Sequence, residues 1–153
     1  MGVTRHKVGS GKTRSRVAVI RTRPESVLDD VAAMMRRLDY AKAISPGRRT
    51  ILKDNISWHL PFLSANTTPW QLEGVVRTLR QDGFRDLLGL HNQTVVTDAA
   101  RGDRLNKFAG VYKRYEVPTV DNFSPDCRWV KIEPTRSCWC STASSARCAC
   151  RRS

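Results

Sequence analysis

The residues with the chemistry to bind a small molecule fall in two short stretches of the chain. Lys53 and Asn55 lie in the first stretch, and Thr67 and Thr68 stand directly before a proline in the second. An ammonium group, an amide and two hydroxyls at a helix start suit an anion, because free N–H groups and the helix dipole favour negative charge there. These residues indicate a site for a carboxylate or a phosphate.

A second type of chemistry is available from the two histidines in the central part of the chain, His59 and His91. If they meet above the sheet, the two histidines can form a proton-transfer pair together with Asp54 or Asp98. Asn92 adds an amide beside the second histidine. The predicted ligand-binding set is therefore Lys53, Asn55, His59, Thr67, Thr68, His91 and Asn92.

Each of these residues also has a purely structural interpretation. Lys53 can pair with a neighbouring aspartate at the surface, and Thr67 and Thr68 can serve only as a helix cap. His59 and His91 can be solvated loop residues or can make a structural hydrogen bond. No Gly-x-Ser-x-Gly elbow and no two-histidine metal helix occurs in the sequence, so no reaction and no catalytic residue is assigned.

A nucleotide-binding loop is suggested by Gly11, Lys12 and Thr13 but is not supported by their surroundings. The phosphate-binding loop requires a glycine where this chain has His6, and it follows a strand, whereas the apolar run Val17–Ile20 comes after the motif here. We interpret the stretch as part of a basic arm.

The cysteines offer four thiolates near the end of the chain, as Cys-Trp-Cys at 138–140 and Cys-Ala-Cys at 148–150. Four thiolates can hold zinc or an iron–sulfur cluster. The pairs lack the usual two-residue separation, and the segment around them has no apolar shell to orient ligands. We expect no metal site, and the Arg/Ser/Cys/Ala composition resembles coding sequence read out of frame.

The elements that must position the candidate residues follow from periodicity and from turn signals. Strands are predicted at Val17–Thr22, Thr50–Asn55, Arg85–Leu90 and Cys127–Glu133, and helices from Pro24 to Leu38, from Thr68 to about Asp82, and from about Asp103 to Tyr115. The order β-α-β-α-β-α-β predicts an α/β fold with a mainly parallel sheet of about four strands and helices on both faces. Ligands bind beyond the carboxyl ends of such strands, and the candidate residues lie at or after the ends of the second and third of them.

Charge divides the chain into three parts. Of the net +13, residues 1–23 supply seven Lys or Arg and residues 135–153 supply four Arg, with no acid in either segment. We predict a disordered basic arm at 1–15, an α/β domain at 16–134 and a disordered tail at 135–153. Basic arms bind polyanions without specificity, so a nucleic-acid-binding protein acting through its arms is an alternative function.

The loop Trp58–Leu63 is unusually apolar for a connection of its length. Such a loop either closes over a pocket or contacts a partner, so a subunit completed by a partner chain is a further alternative. No segment approaches the roughly 18 apolar residues of a membrane span, and we expect a cytoplasmic protein with no membrane partner.

Two motifs resemble a known family. "ILKDNISW" at 51–58, followed by "ANTTPWQLEGVVRTLRQDGF" at 65–84, is similar to the strand end and the Thr-Thr-x-Pro-type helix start of the prokaryotic family called domain of unknown function 362. The resemblance covers about Val17 to Pro134. It matches Lys53, Asn55, Thr67 and Thr68 to polar positions of the family.

The resemblance implies an incomplete domain. Family domains are about twice as long, which makes this chain similar to the N-terminal half of one, a truncated member. The intact form is then expected to bind a small anionic ligand in a redox-linked setting. Relatives often carry an iron–sulfur cluster, but this chain has no Cys-x-x-Cys-x-x-Cys set, so we expect no cofactor on it. Where relatives have Gly-Asp-Ser, this chain has "GLHNQT", so that His91 or Asn92 must replace the aspartate.

Overall fold

The computed structural model describes residues 3–6, 15–92, 97–125, 128–131 and 146–149, of which the two terminal strand pairs are described largely as backbone. The strands are β1 Val3–His6, β2 Ser15–Ala18, β3 Thr50–Leu52, β4 Leu87–His91, β5 Thr119–Asp121, β6 Arg128–Lys131 and β7 Ala146–Ala149. The helices are α1 Val27–Arg37, α2 Pro69–Gln81, α3 Ala99–Leu105 and α4 Phe108–Arg114, with a 3₁₀ turn at Tyr40–Lys42.

The centre of the fold is a three-stranded parallel sheet in the order β3-β4-β5. Helix α2 connects β3 to β4, and α3 and α4 connect β4 to β5, so the sheet is built from two βαβ units. The fold is therefore of the mixed α/β class, as predicted. The carboxyl ends of the three strands share one edge, which brings together the residues that follow them.

The core lies where α2 and α4 pack beside the central strand. Its fully buried side chains include Val76, Leu79, Phe84, Leu87 and Phe108. Helix α1 packs on α2 at Gly74, where an added Cβ would lie 2.8 Å from Val31 Cβ. The glycine therefore sets how closely the two helices approach.

Helix α2 begins and ends where the sequence predicts, after Thr68 and before Gly83. Thr68 Oγ1 accepts a hydrogen bond from the Gln71 N–H at 3.2 Å, and Pro69 occupies the first helical position. Gly83 has a φ of 90°, which ends the helix in the left-handed region. Helix α1 begins at Val27 rather than at Pro24, with Ser26 as the preceding residue.

The first predicted strand differs from the structure. The sequence analysis places Val17–Thr22 in the parallel sheet, but the strand here is β2, which pairs antiparallel with β1. Val17 and Val19 are 41% and 66% exposed. A β-branched run fits a pleated strand anywhere, and only the neighbouring elements decide whether its faces are buried.

The last strand of the parallel sheet is β5, which the sequence analysis did not predict. The strand predicted at Cys127–Glu133 corresponds to β6, and β6 pairs antiparallel with β7 outside the parallel sheet. Strand β5 has only three residues and follows Pro118. So short a segment carries no period that distinguishes it from a loop.

The predicted helix from Asp103 to Tyr115 is two helices, α3 and α4. Lys107 separates them with a φ of 67°. Just before it, the Asn106 side chain donates to the Gly102 carbonyl at 2.9 Å and accepts from Asn66 Nδ2 at 2.9 Å. A side chain that bonds locally and to another element competes with helix continuation.

Within the described ranges, no helix combines the length and the apolar character that crossing a bilayer requires. Most of the predicted arm and tail lies outside the described residues. The domain boundaries at 15 and 134 therefore stay predictions.

Candidate functional site

The most buried polar group at the strand-end edge surrounds His91, the last residue of the central strand β4. Its side chain is 5% exposed, and its register partner on β5 is Asp121. The His91 carbonyl accepts from the Asn122 N–H at 2.9 Å, which extends the contact between the two strands. This arrangement fixes the imidazole at the rim of the sheet.

Asp54 faces the first ring nitrogen of His91. It lies two residues beyond β3, is 4% exposed, and places Oδ1 3.3 Å from His91 Nδ1. Tyr112 on α4 donates its hydroxyl to the other carboxylate oxygen, Oδ2, at 2.9 Å. The Tyr112 ring reaches this position because Gly89 on β4 has no side chain: an added Cβ would lie 2.9 Å from Tyr112 Cζ.

Asp103 on α3 faces the second ring nitrogen of His91. Its Oδ1 lies 3.8 Å from His91 Nε2, and its side chain is 20% exposed. Four atoms of this group are buried without a hydrogen-bond partner: Asp54 Oδ1, His91 Nδ1, His91 Nε2 and Asp103 Oδ1. The 3.3 Å contact to Asp54 is slightly longer than a usual N–H···O bond, so it acts mainly as a charge pair.

The carboxylates change the acid–base properties of the group. Burial by itself lowers the pKa of His91, but the carboxylates of Asp54, Asp103 and Asp121 outweigh it, and the net pKa is raised. Burial raises the pKa of Asp103, with His91 opposing this shift. Burial and then the Asp54 charge raise the pKa of Tyr112, which keeps its hydroxyl a donor. The imidazole therefore keeps its proton to a higher pH than a free histidine does.

A second group of predicted residues lies at the start of α2. The Asn55 N–H donates to Thr67 Oγ1 at 2.9 Å, and the Thr67 N–H donates to the Asn55 carbonyl at 2.9 Å. Thr68 caps the helix, and the Lys53 ammonium donates to the Asp54 carbonyl. The strand end and the helix start predicted as one site are thus in direct contact, through hydrogen bonds that also serve the local structure.

These two groups occupy opposite sides of one extended segment. Asp54 and Ile56 are buried, whereas Lys53, Asn55 and Ser57 between and around them are exposed. Alternate residues of an extended chain point to opposite sides. The segment therefore separates two groups. The inner group, on the buried side, consists of His91, Asp54, Asp103, Asp121 and Tyr112. The outer group, on the exposed side, consists of Lys53, Asn55, Thr67 and Thr68.

The remaining predicted residues lie outside both groups. His59 stacks on Trp58 with ring centroids 5.0 Å apart, and its buried Nδ1 has no hydrogen-bond partner. The described contacts do not join His59 to His91, and Asp98 caps α3 by accepting from the Arg101 N–H at 2.9 Å. Of the proposed proton-transfer partners, the structure brings His91 together with Asp54. Asn92 is half-buried directly after β4.

The connection from β3 to α2 is organised by a buried residue that the sequence analysis missed, Asn66. Its Oδ1 accepts from the Ser57 and Trp58 N–H groups at 2.9 and 3.2 Å. Its Nδ2 lies 2.9 Å from the carbonyls of Trp58 and Leu60 and from Asn106 Oδ1. A single amide thus holds several backbone groups of the apolar loop in place.

Three members of the inner group were also missed. Asp121 ends a strand that was not predicted; had β5 been recognised, the strand-end rule would have selected it. Asp103 was interpreted as the start of a helix, and Tyr112 lies in an apolar helical stripe that is typical of core packing. Asp103 and Tyr112 join the group only through tertiary contacts.

No set of three or more His, Cys, Asp or Glu side chains suited to a metal ion occurs in the described part of the chain. The terminal cysteine pairs lie outside the described residues, apart from the backbone of Cys148 in β7.

Comparison with protein-family models, with curated proteins and with solved structures gives no significant match to this chain.

Proposed function

We propose that the chain is a small-molecule domain that exchanges a proton with its ligand through His91 at the strand-end edge of the parallel sheet. The proposal rests on the surroundings of the His91 imidazole. Both ring nitrogens are buried, both face carboxylates, and neither has a hydrogen-bond partner.

The energetics support a functional rather than a structural role for this imidazole. A buried polar atom without a hydrogen-bond partner costs about 1–3 kcal/mol, and a purely structural pair is usually held in hydrogen-bond geometry, whereas the contacts of His91 are charge pairs at 3.3 and 3.8 Å. Buried titratable groups with shifted pKa values, held beside specific charges, are typical of sites that transfer protons.

The residues of the inner group have different proposed roles. Asp54, held by the Tyr112 hydroxyl, is a positioning residue that favours a proton on Nδ1. Nε2 faces Asp103, whose side chain is 20% exposed. His91 is then the group that gives or takes the proton, and Asp103 accepts a donor group of the ligand or relays the proton to water.

The experiment is a fragment screen read at His91 itself. We would titrate the full chain with small amines, carboxylic acids and inorganic phosphate, and follow the imidazole signals by NMR. At least one class should shift the His91 signals and its pKa, and should bind the His91→Gln and Asp103→Asn variants more than about tenfold more weakly, since a hydrogen bond to a charged group is worth about 1.5–3 kcal/mol.

The matched control is Asp98→Asn, which changes a carboxylate at the start of the same helix α3 outside the inner group. Asp98→Asn should bind as the unchanged protein does. Fragments that bind equally well to His91→Gln, or that bind without changing the His91 signals, would show that the imidazole has no part in ligand binding.

A second proposal concerns the outer group, with Lys53, Thr67 and Thr68 holding a small anion. It is supported by the reciprocal hydrogen bonds between Asn55 and Thr67, which join the two motifs that resemble family 362. Membership of that family would place the anion in a redox-linked setting. Inorganic phosphate should stabilise the full chain against heat, and Lys53→Ala should remove that effect while His91→Gln keeps it; equal stabilisation of Lys53→Ala would contradict the proposal.

A further inference from the structure

The connection between β3 and α2, together with the first turn of α2, exposes a group of large apolar side chains. We call this the apolar loop surface: it consists of Trp58, Leu60, Phe62, Leu63 and Trp70. Phe62 and Leu63 are 58% and 61% exposed, and the other three are between 41% and 53% exposed. Summed over these side chains, the exposed apolar area is on the order of 500 Å², the size of the largest apolar patch on an ordinary monomer, which often serves in binding.

The exposure is a property of a fixed loop conformation. Asn66, itself buried, holds the backbone of Ser57, Trp58 and Leu60, and the N–H groups of Ala65 and Asn66 both donate to the Phe62 carbonyl at 2.9 and 2.7 Å. The loop also rests on α3, where an added Cβ on Gly102 would lie 3.4 Å from His59 Cα. The fold thus presents apolar side chains outward while satisfying much of the backbone behind them, which is what entry into an apolar phase requires.

The distribution of charge along the chain favours one kind of occupant. The sequence from Asn55 to Leu72 contains no Asp, Glu, Lys or Arg, so burial of the loop desolvates no full charge. Lys53 precedes the loop, and Arg101 precedes Gly102, against which the loop packs; both basic residues are exposed. The whole chain carries a net charge of +13, of which residues 1–23 and 135–153 supply +11. An apolar, uncharged loop on a chain with basic ends is complementary to an anionic lipid surface.

We propose that the apolar loop surface inserts into the headgroup region of an anionic lipid bilayer, with the basic residues of the chain attracted to the lipid phosphates and carboxylates. Trp58 and Trp70 provide indole rings of the type that favours the membrane–water boundary. This goes beyond the proton site at His91 and does not depend on it. It also departs from the expectation of no membrane partner, which rests on the lack of a segment long enough to span a bilayer.

The test is co-sedimentation of the full chain with two kinds of vesicle, phosphatidylcholine alone and phosphatidylcholine mixed with phosphatidylserine. The protein should bind the mixed vesicles more strongly. The double variant Phe62→Ser, Leu63→Ser should bind them at least about tenfold more weakly, because each lost apolar side chain removes roughly that factor. Both positions are exposed, so the variant should fold, which its helical circular dichroism would verify.

The matched control is Ile51→Thr, which removes an equally exposed apolar side chain, 57% exposed, from β3 outside the loop. It should bind the vesicles as the unchanged protein does. Insertion is measured separately with lipids that carry brominated acyl chains, which should quench tryptophan fluorescence in the unchanged protein. The quenching should be weaker in the double variant Trp58→Phe, Trp70→Phe, which retains Trp129 and Trp139.

Two outcomes would overturn the proposal. If Phe62→Ser, Leu63→Ser binds mixed vesicles as strongly as the unchanged protein, the binding belongs to the basic ends of the chain and not to the loop. If no vesicle binding occurs and light scattering shows a dimer that the same variant converts to a monomer, the apolar loop surface is a contact between protein chains.

Discussion

The loop between β3 and α2 depends on one side chain, so replacing Asn66 with alanine gives a sharp test of how that loop is built. The substitution removes all five contacts made by the amide: two from backbone N–H groups, two to carbonyls and one to Asn106. It leaves the exposed apolar residues of the loop unchanged. The effect therefore reports on the internal support of the loop alone.

The expected magnitude follows from those contacts. The two hydrogens on Nδ2 are shared among three acceptors, so the amide makes about four effective hydrogen bonds, each worth a net 0.5–1.5 kcal/mol. Asn106 and Asn66 are both buried, which makes the loss of their mutual bond the most costly. We expect Asn66→Ala to lower the free energy of unfolding by about 3–5 kcal/mol, a large part of the usual stability of a domain.

The assay is urea unfolding followed by tryptophan fluorescence, with the free energy extrapolated linearly to water. Asn55→Ala is the matched control, because Asn55 lies in the same connection but is exposed and makes two side-chain bonds, to Ser57 Oγ and the Ala65 carbonyl. It should cost about 1 kcal/mol or less, since water replaces its partners. If Asn66→Ala costs no more than Asn55→Ala, the amide does not hold the loop and the reasoning fails.

Three further predictions concern other parts of the fold. Gly74→Ala should destabilise the protein by about 1–3 kcal/mol, because its Cβ would lie 2.8 Å from Val31 Cβ. Denaturant unfolding of the double variant Gly74→Ala, Val31→Ala should show that most of this loss is recovered. If none is recovered, the two helices do not pack as closely here as the structure shows. The raised pKa of His91 adds stability that is complete below the unfolded value of 6.5 and is lost as pH rises through the folded pKa. The free energy of unfolding, measured across this pH range, should therefore depend less on pH in His91→Gln than in the unchanged protein. An equal pH dependence would count against the pairing of His91 with the carboxylates. Thr68→Ala should cost about 1 kcal/mol of unfolding free energy by removing the cap on the Gln71 N–H, whereas Thr68→Ser should cost less; equal losses would exclude the cap as the cause.

The parts of the fold that sequence predicted well are those with local signals. Helix α2 has a capping hydroxyl, a proline at its first position and a glycine after its end, and each acts on the backbone within a few residues. Strand β4 also lies close to its predicted position. The α/β class follows from such elements and their order along the chain.

The parts that sequence missed depend on distant residues. Three features are decided by which segment of the chain lies alongside: the exposure of Val17 in β2, the three-residue strand β5 and the helix break at Lys107. The pattern of residues along the sequence does not contain that information. At the site, the strand-end rule selected His91 and Asp54, because it needs only the end of each strand. Asp103 comes to the imidazole from a helix, at a position that no strand-end rule reaches.

The alternation of residues 53–57 has a consequence for how this protein can vary. Substitutions at Lys53 or Asn55 alter the exposed side of the segment and leave the buried side with Asp54 unchanged, so the two sides are free to vary separately. A deletion of one residue in this short stretch has a different effect, because it turns Asp54 toward solvent and directs a lysine or an amide at His91. Lineages related to this chain should accordingly tolerate many replacements here and very few changes in length.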